Sequence, residues 1–228
     1  MSHAAPGRVA AIIPAAGSGV RFGSDTPKAF IELDGISLLT RSALAMSVVA
    51  DVIVVSAPAD LLQHASDSLA SIDCEVHVVA GGSSRQDSVA NALAILSDDI
   101  QIVLIHDAAR PLVPTRVSQD IVTALHSGAQ AVIPVLPVVD TIKRVDELGM
   151  VIETIDRATL RRVQTPQGFT RQALAAAYSD PTHIATDDAG LMETLGIPVL
   201  TVLGDERSLK ITTPDDFEIA LGFLGEVQ

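Results

Sequence analysis

Short apolar runs alternate with segments of helical period along this chain. Arg8–Ile13, Val52–Ser56, Glu75–Val79, Ile102–Ile105, Ala131–Val135 and Ile197–Val202 read as strands. Apolar residues at helical spacing predict helices over Ser37–Val48, Asp60–Ser71, Asp87–Leu96, Pro114–His126, Arg171–Tyr178, Ala185–Leu195 and Pro214–Leu224. Asp60 and Thr213 are placed to cap two of them. Such alternation predicts an α/β fold, a mostly parallel sheet with helices on both faces.

The pattern breaks between 137 and 160. This stretch is polar and turn-rich, and two short strands around Asp146–Gly149 predict a protruding β-hairpin arm. A lone hairpin exposes two edges, and the expected cover is a second copy of the chain, giving a homodimer through the 137–160 arm. No repeat or linker divides the sequence, so residues 1–228 are expected to form one domain.

Composition narrows the classes. The chain has 228 residues, 48% hydrophobic and 3% aromatic, enough for one substantial core. No apolar run is long enough for a membrane span, and the first residues lack the charged-then-apolar shape of a signal peptide. Cys74 is the single cysteine, which excludes an internal disulfide and fits a cytoplasmic location. A net charge of −13 argues against nucleic acid as a partner. It also draws attention to the only lysines, Lys28, Lys143 and Lys210.

Candidate chemistry sits at strand ends, where ligands bind in open α/β sheets. The first strand empties into Pro14-Ala15-Ala16-Gly17-Ser18-Gly19-Val20-Arg21, followed by Pro27-Lys28. Small residues let backbone N–H groups approach an anion, and Arg21 and Lys28 supply charge, as a polyphosphate requires. No Gly-Lys-Ser/Thr ends the loop, and Phe22 stands where a dinucleotide fingerprint has its third glycine. The other reading is a tight strand–helix connection that binds nothing. The third strand ends in Gly81-Gly82-Ser83-Ser84-Arg85, with Ser88 following. It suits either approach to a flat base or a plain helix cap. The fourth ends in His106-Asp107-Ala108-Ala109-Arg110. Asp107 suits Mg²⁺ held jointly with phosphates, or an ion pair with Arg110. His106 reads as structural, and the six histidines show no zinc-ligand spacing.

Taken in order, these stretches resemble the 2-C-methyl-D-erythritol 4-phosphate cytidylyltransferase family. The likeness runs through Pro14–Arg21, Pro27-Lys28, Gly81-Gly82 with Arg85-x-Asp87-Ser88-Val89, Val103–Pro111, Pro137–Lys143, Gln164–Phe169, Thr186–Ala189 and Leu209–Thr212. It covers essentially the whole chain. Two positions depart from the family's habit: Val20 where a polar residue is common, and Gly190 where Ser is frequent.

The resemblance implies a Rossmann-like sheet of the nucleotide-diphospho-sugar transferase type. It implies that CTP and a polyol phosphate are the ligands, with Mg²⁺ or another divalent cation as cofactor. Ala15, Ala16, Gly17 and Gly19 would wrap the triphosphate. Arg21, Lys28 and Lys210 would be catalytic. Gly81, Gly82, Ser88 and Ala108 would complete the CTP site, and Asp107 would also hold the metal. Thr141, Arg157 and Thr165 would bind the methylerythritol phosphate. Ribitol-5-phosphate cytidylyltransferase shares most of the nucleotide motifs and stands as the alternative.

Overall fold

The computed structural model describes residues 7–17, 27–180 and 185–225. Its strands are β1 (Arg8–Pro14), β2 (Glu32–Leu33), β3 (Ile36–Ser37), β4 (Val52–Ala57), β5 (Glu75–Ala80), β6 (Ile100–Ile105), β7 (Ala131–Pro137), β8 (Ile142–Val145), β9 (Val151–Ile155), β10 (Arg161–Val163), β11 (Gln167–Thr170) and β12 (Val199–Leu203). Its helices are α1 (Leu38–Ser47), α2 (Leu62–Ser68), α3 (Arg85–Ala94), α4 (Thr115–His126), α5 (Arg171–Tyr178), α6 (Asp188–Thr194) and α7 (Pro214–Gly225).

The main sheet runs β10-β7-β11-β6-β1-β4-β5, with β12 on β7. Strands β6, β1, β4 and β5 are parallel neighbours, and β12 is parallel to β7. The expected α/β class and mostly parallel sheet are therefore present. The antiparallel part was not expected: β10 and β11 pair β7, and β11 also pairs β6. The sequence there, Arg161–Thr170, has no clean alternation because Gln164 and Gln167 are buried with the apolar residues.

Alternate residues of the central strands enter two cores, as a period of two demands. Ala11, Ile13, Ile53, Val55 and Leu104 pack with Ala43 and Met46 of α1, Ala65 of α2, and Val117 and Ile121 of α4. Ala10, Ile12, Val54, Val103 and Phe169 pack with Val89 of α3, Leu174 of α5 and Met192 of α6. Helices thus cover both faces, and β4 is buried along its whole length.

Several boundaries moved for local reasons. The Asp60–Ser71 prediction becomes a 3-10 turn, Ala59–Leu61, before α2, and Asp60 does not cap that helix. Helix α3 starts earlier than predicted because Ser84 and Asp87 form a reciprocal capping box. Helix α6 starts later, at Asp188, where the Asp187 carboxylate accepts from Gly190 N at 3.0 Å. Thr213 Oγ1 does accept from Asp216 N, at 3.3 Å, at the start of α7.

Strands β8 and β9 pair only with each other and form the expected arm. Asp146 shapes its turn by accepting from Leu148 N and Met150 N, and Gly149 takes φ +79°. No helix among the described residues is long and apolar enough to cross a membrane.

Candidate active site

Strand order places the crevice. Chain order runs from β1 outward through β4 to β5, and β6 then returns to the other side of β1. Loops at the carboxyl ends of β1 and β6 therefore diverge and leave a gap between them. A cavity of about 470 Å³ lies there, lined by Pro14–Gly17, Lys28, Ala29, Gly82–Arg85, Ser88, Asp107–Ala109 and Lys210. The three strand-end loops singled out in the sequence meet in one place. Lys28 and Lys210, 182 positions apart in numbering, line the same space.

The first loop offers backbone donors. Ala15 N donates to Ser56 O at 2.7 Å, so that amide is already committed to the sheet. Among the described residues, no acceptor takes the N–H of Ala16 or Gly17. Gly19 and Arg21 lie outside the described residues.

The second loop fits because it lacks side chains. A Cβ at Gly81 would lie 2.2 Å from Ala16 Cβ, and one at Gly82 would lie 2.2 Å from Asp87 Cβ. Ser88 fixes this loop: its hydroxyl donates to Ser84 O at 2.8 Å and accepts from Gly82 N at 3.0 Å. The capped amino-terminal end of α3 thereby faces the cavity, where a helix favours negative charge.

The third loop holds the charged centre. Asp107 has Lys210 Nζ 2.9 Å from Oδ2, Arg110 Nε 3.5 Å from Oδ2 and Arg85 Nε 3.6 Å from Oδ1. Burial alone would raise the carboxyl pKa, but Lys210, Arg85 and Arg110 outweigh it and hold Asp107 well below the usual carboxylate range. The ion pair with Arg110 expected as one alternative is present, and two further cations join it. Arg85 also reaches Asp188 at 2.8 Å, and Asp188 accepts from Tyr178 OH at 2.5 Å. Burial works against the Arg85 charge, and the two carboxylates more than restore it.

A buried polar chain sits behind Asp107. Its backbone N donates to Thr165 Oγ1 at 3.0 Å. That hydroxyl lies 3.1 Å from His106 Nδ1, and His106 Nε2 lies 3.1 Å from Arg110 O. A carbonyl can only accept, so Nε2 carries the ring proton and Nδ1 accepts from Thr165. The ring is fully buried, and burial pulls its pKa down to about 4, which keeps it neutral.

Ala108 lines the cavity. Thr165 is buried behind it, with its hydroxyl held as described. Thr141 and Arg157 are exposed around the arm and do not line the cavity; Arg157 Nη1 donates to Val139 O. Arg85 was not assigned a role from sequence, and Arg110 only as an alternative ion-pair partner of Asp107. Arg85 gave one signal, a basic residue at the first turn of a helix, where acidic ones are favoured.

One carboxylate is too few for a stand-alone metal site. Among the described residues no three His, Cys, Asp or Glu side chains gather to hold an ion. Asp107 fits a divalent cation only if phosphate oxygens supply most of its ligands and Lys210 yields its place. The donor set therefore fits a metal carried in on a nucleotide.

Comparison with known proteins agrees across the chain. The sequence model of the 2-C-methyl-D-erythritol 4-phosphate cytidylyltransferase family matches residues 9–226. The enzyme of that name from Rhodococcus jostii (strain RHA1) is 49% identical over 222 residues, covering 96% of each chain. That from Saccharopolyspora erythraea is 50% identical over 217 residues, covering 93% of this chain and 97% of its own. The crystal structure of 4-diphosphocytidyl-2C-methyl-D-erythritol synthase from Anaerococcus prevotii DSM 20548 superposes with a TM-score of 0.84 at 28% identity. It covers 97% of this chain and 100% of its own.

Proposed function

The chain belongs to the 2-C-methyl-D-erythritol 4-phosphate cytidylyltransferase family, and we propose that its Asp107 crevice joins CTP to that polyol phosphate. The products are 4-diphosphocytidyl-2-C-methyl-D-erythritol and pyrophosphate, in the non-mevalonate route to isoprenoid precursors. The ribitol 5-phosphate alternative loses ground, because the family model and the relatives at half identity all bear the methylerythritol name.

The observation that carries the assignment is the meeting of Lys28, Arg85, Asp107 and Lys210 beside the glycine-rich loop in one crevice. A phosphate monoester has its second pKa near about 6, so it is already a largely dianionic nucleophile at neutral pH. Its oxygen forms a bond to the α-phosphorus of CTP as the bond to the pyrophosphate oxygen breaks. No general base is needed, and His106, behind Asp107, is buried and neutral. What the chemistry needs is positive groups that neutralise the charge of two repelling anions and hold them in line.

Ala16 and Gly17 donate to the triphosphate, with Gly19 and Arg21 continuing that grip. Gly81, Gly82, Ser88 and Ala108 shape the nucleoside side. Lys28 and Lys210 balance charge at the reacting phosphates. Asp107 would hold Mg²⁺ or another divalent cation, which would supply neutralisation of phosphate charge. Thr165 contributes through the loop it holds.

Thr141 and Arg157 bind the polyol phosphate from the arm. The arm leaves Val139, Met150, Val151 and Ile152 exposed, and Leu148 is 88% exposed. Such a surface favours burial against a second copy, so a homodimer through residues 137–160 of a single 1–228 domain completes the acceptor side.

A pyrophosphate-release assay tests the function. Release is expected with CTP and 2-C-methyl-D-erythritol 4-phosphate, and far less with ribitol 5-phosphate or with ATP, GTP or UTP. Preference for ribitol 5-phosphate would overturn the assignment.

A further inference from the structure

His106 contributes no atom to the crevice, yet its ring bonds one end of the loop forming the charged wall directly and the other end through the Thr165 hydroxyl. The loop makes an abrupt turn, with Arg110 N donating to Asp107 O at 2.9 Å. Its two middle carbonyls are held from two different segments. Ser42 Oγ of α1 donates to Ala108 O at 3.0 Å, and Ile211 N donates to Ala109 O at 2.8 Å. The second of these bonds ties the loop to the residue after Lys210. Arg110 O accepts from His106 Nε2, and Asp107 N reaches His106 Nδ1 through the Thr165 hydroxyl.

We propose that His106 is a positioning residue: its ring clamps the Asp107–Arg110 turn from both ends and so fixes the Asp107 carboxylate against Lys210. The inference rests on the reading of this crevice as the site of cytidylyl transfer. Its physical basis is the match between ring and loop. One ring nitrogen must donate and the other must accept, and the loop presents one carbonyl and one hydroxyl at those two points. Both ring nitrogens and the Thr165 hydroxyl have partners in this buried arrangement, which therefore has one proton register. Neither an aliphatic residue nor a protonated ring reproduces it. Misplacement of a catalytic group by about 1 Å can cost about 100-fold in rate, so losing the clamp should be visible in turnover.

The test compares His106→Ala, His106→Asn and Thr165→Val with the full-length parent. In His106→Ala, kcat is expected to fall about 10- to 100-fold, while KM for CTP and for the polyol phosphate each move far less. His106→Asn keeps an acceptor for the Thr165 hydroxyl and should recover a clear part of the lost rate. Adding Thr165→Val to His106→Ala should cost little more, because both changes break one chain. Turnover in His106→Ala close to the parent's would overturn the proposal. So would an Asn variant no better than Ala, or fully additive losses in the double variant. Should the Ala variant fail to fold, the Asn comparison and a ring measurement still decide. Nitrogen NMR of the parent should find a neutral ring protonated at Nε2; a ring protonated at Nδ1 would overturn the clamp. That last readout needs no turnover, so it separates failure of the clamp from failure of the functional reading, which an inactive parent would reveal.

Discussion

Lys210 Nζ lies 2.9 Å from Asp107 Oδ2, so the lysine proposed to face the reacting phosphates is paired with the carboxylate proposed to hold the metal. The pair is half in solvent: the Lys210 side chain is 44% exposed and that of Asp107 is 12% exposed. A triphosphate entering the crevice can therefore draw the ammonium away, while Arg85 and Arg110 remain to balance Asp107.

Removing either lysine should then damage chemistry more than folding. Lys210→Ala and Lys28→Ala are each expected to lower turnover about 100- to 1000-fold, the cost typical of losing one stabilising contact to developing charge. Their circular dichroism spectra should match the parent's. Near-normal turnover at saturating CTP and Mg²⁺ would remove the lysine concerned from the mechanism.

Metal affinity should depend on the nucleotide. Asp107 is surrounded by three cations, and among the described residues no three His, Cys, Asp or Glu side chains gather to hold an ion. Calorimetric titration of Mg²⁺ into the free protein is expected to show no site, and titration in the presence of a non-hydrolysable CTP analogue is expected to saturate. Tight binding to the free protein would contradict the metal reading.

The arm should separate acceptor binding from nucleotide binding. Arg157→Ala is expected to raise KM for the polyol phosphate at least tenfold with little change for CTP; equal effects on both would count against its role. Leu148→Asp with Ile152→Asp places charge on the exposed apolar face of the arm. Sedimentation should report a monomer for this variant and a dimer for the parent. A parent that is monomeric at micromolar concentration would sink the arm's proposed partner.

Acid should loosen the segment after Lys210. Asp216 Oδ2 accepts from Thr212 N, Thr212 Oγ1 and Thr213 N at 2.6–2.8 Å. Slight burial would raise its pKa, but these hydrogen bonds prevail and hold it down to about 2. A depressed carboxyl stabilises the fold above its unfolded pKa of about 3.9, and that contribution is lost as pH falls through the folded value. The unfolding midpoint of the parent should therefore drop more steeply between about pH 4 and pH 2 than that of Asp216→Asn. Parallel curves would show that the carboxylate does not anchor this turn.

The alternating strands and helices were legible because each buries a regular face. Ala11 and Ile13 enter one core, and Ala10 and Ile12 enter the other, from consecutive positions. Antiparallel β10 and β11 were not legible, because Gln164 and Gln167 interrupt the apolar pattern. Both glutamines are buried by partners distant in sequence: Gln164 bonds Asp205, and Gln167 bonds Asp187 and Ala189. Among site residues, Lys28, Asp107 and Lys210 could be picked out by residue type and motif. Arg85 could not be given a role, since its meaning depends on Asp107 and Asp188 standing on either side of it.

By itself the sequence determined the α/β class, the glycine-rich strand ends, the arm and the family, all of which follow from local period, turn chemistry and motif order. Tertiary structure alone decided that Lys210 meets Asp107, that Arg85 is shared between two carboxylates, and that Thr165 and His106 stand behind the loop. The physical reason is distance along the chain. A period or a turn is written in neighbouring residues, whereas a charge is balanced by whichever partner the fold brings within a few ångströms.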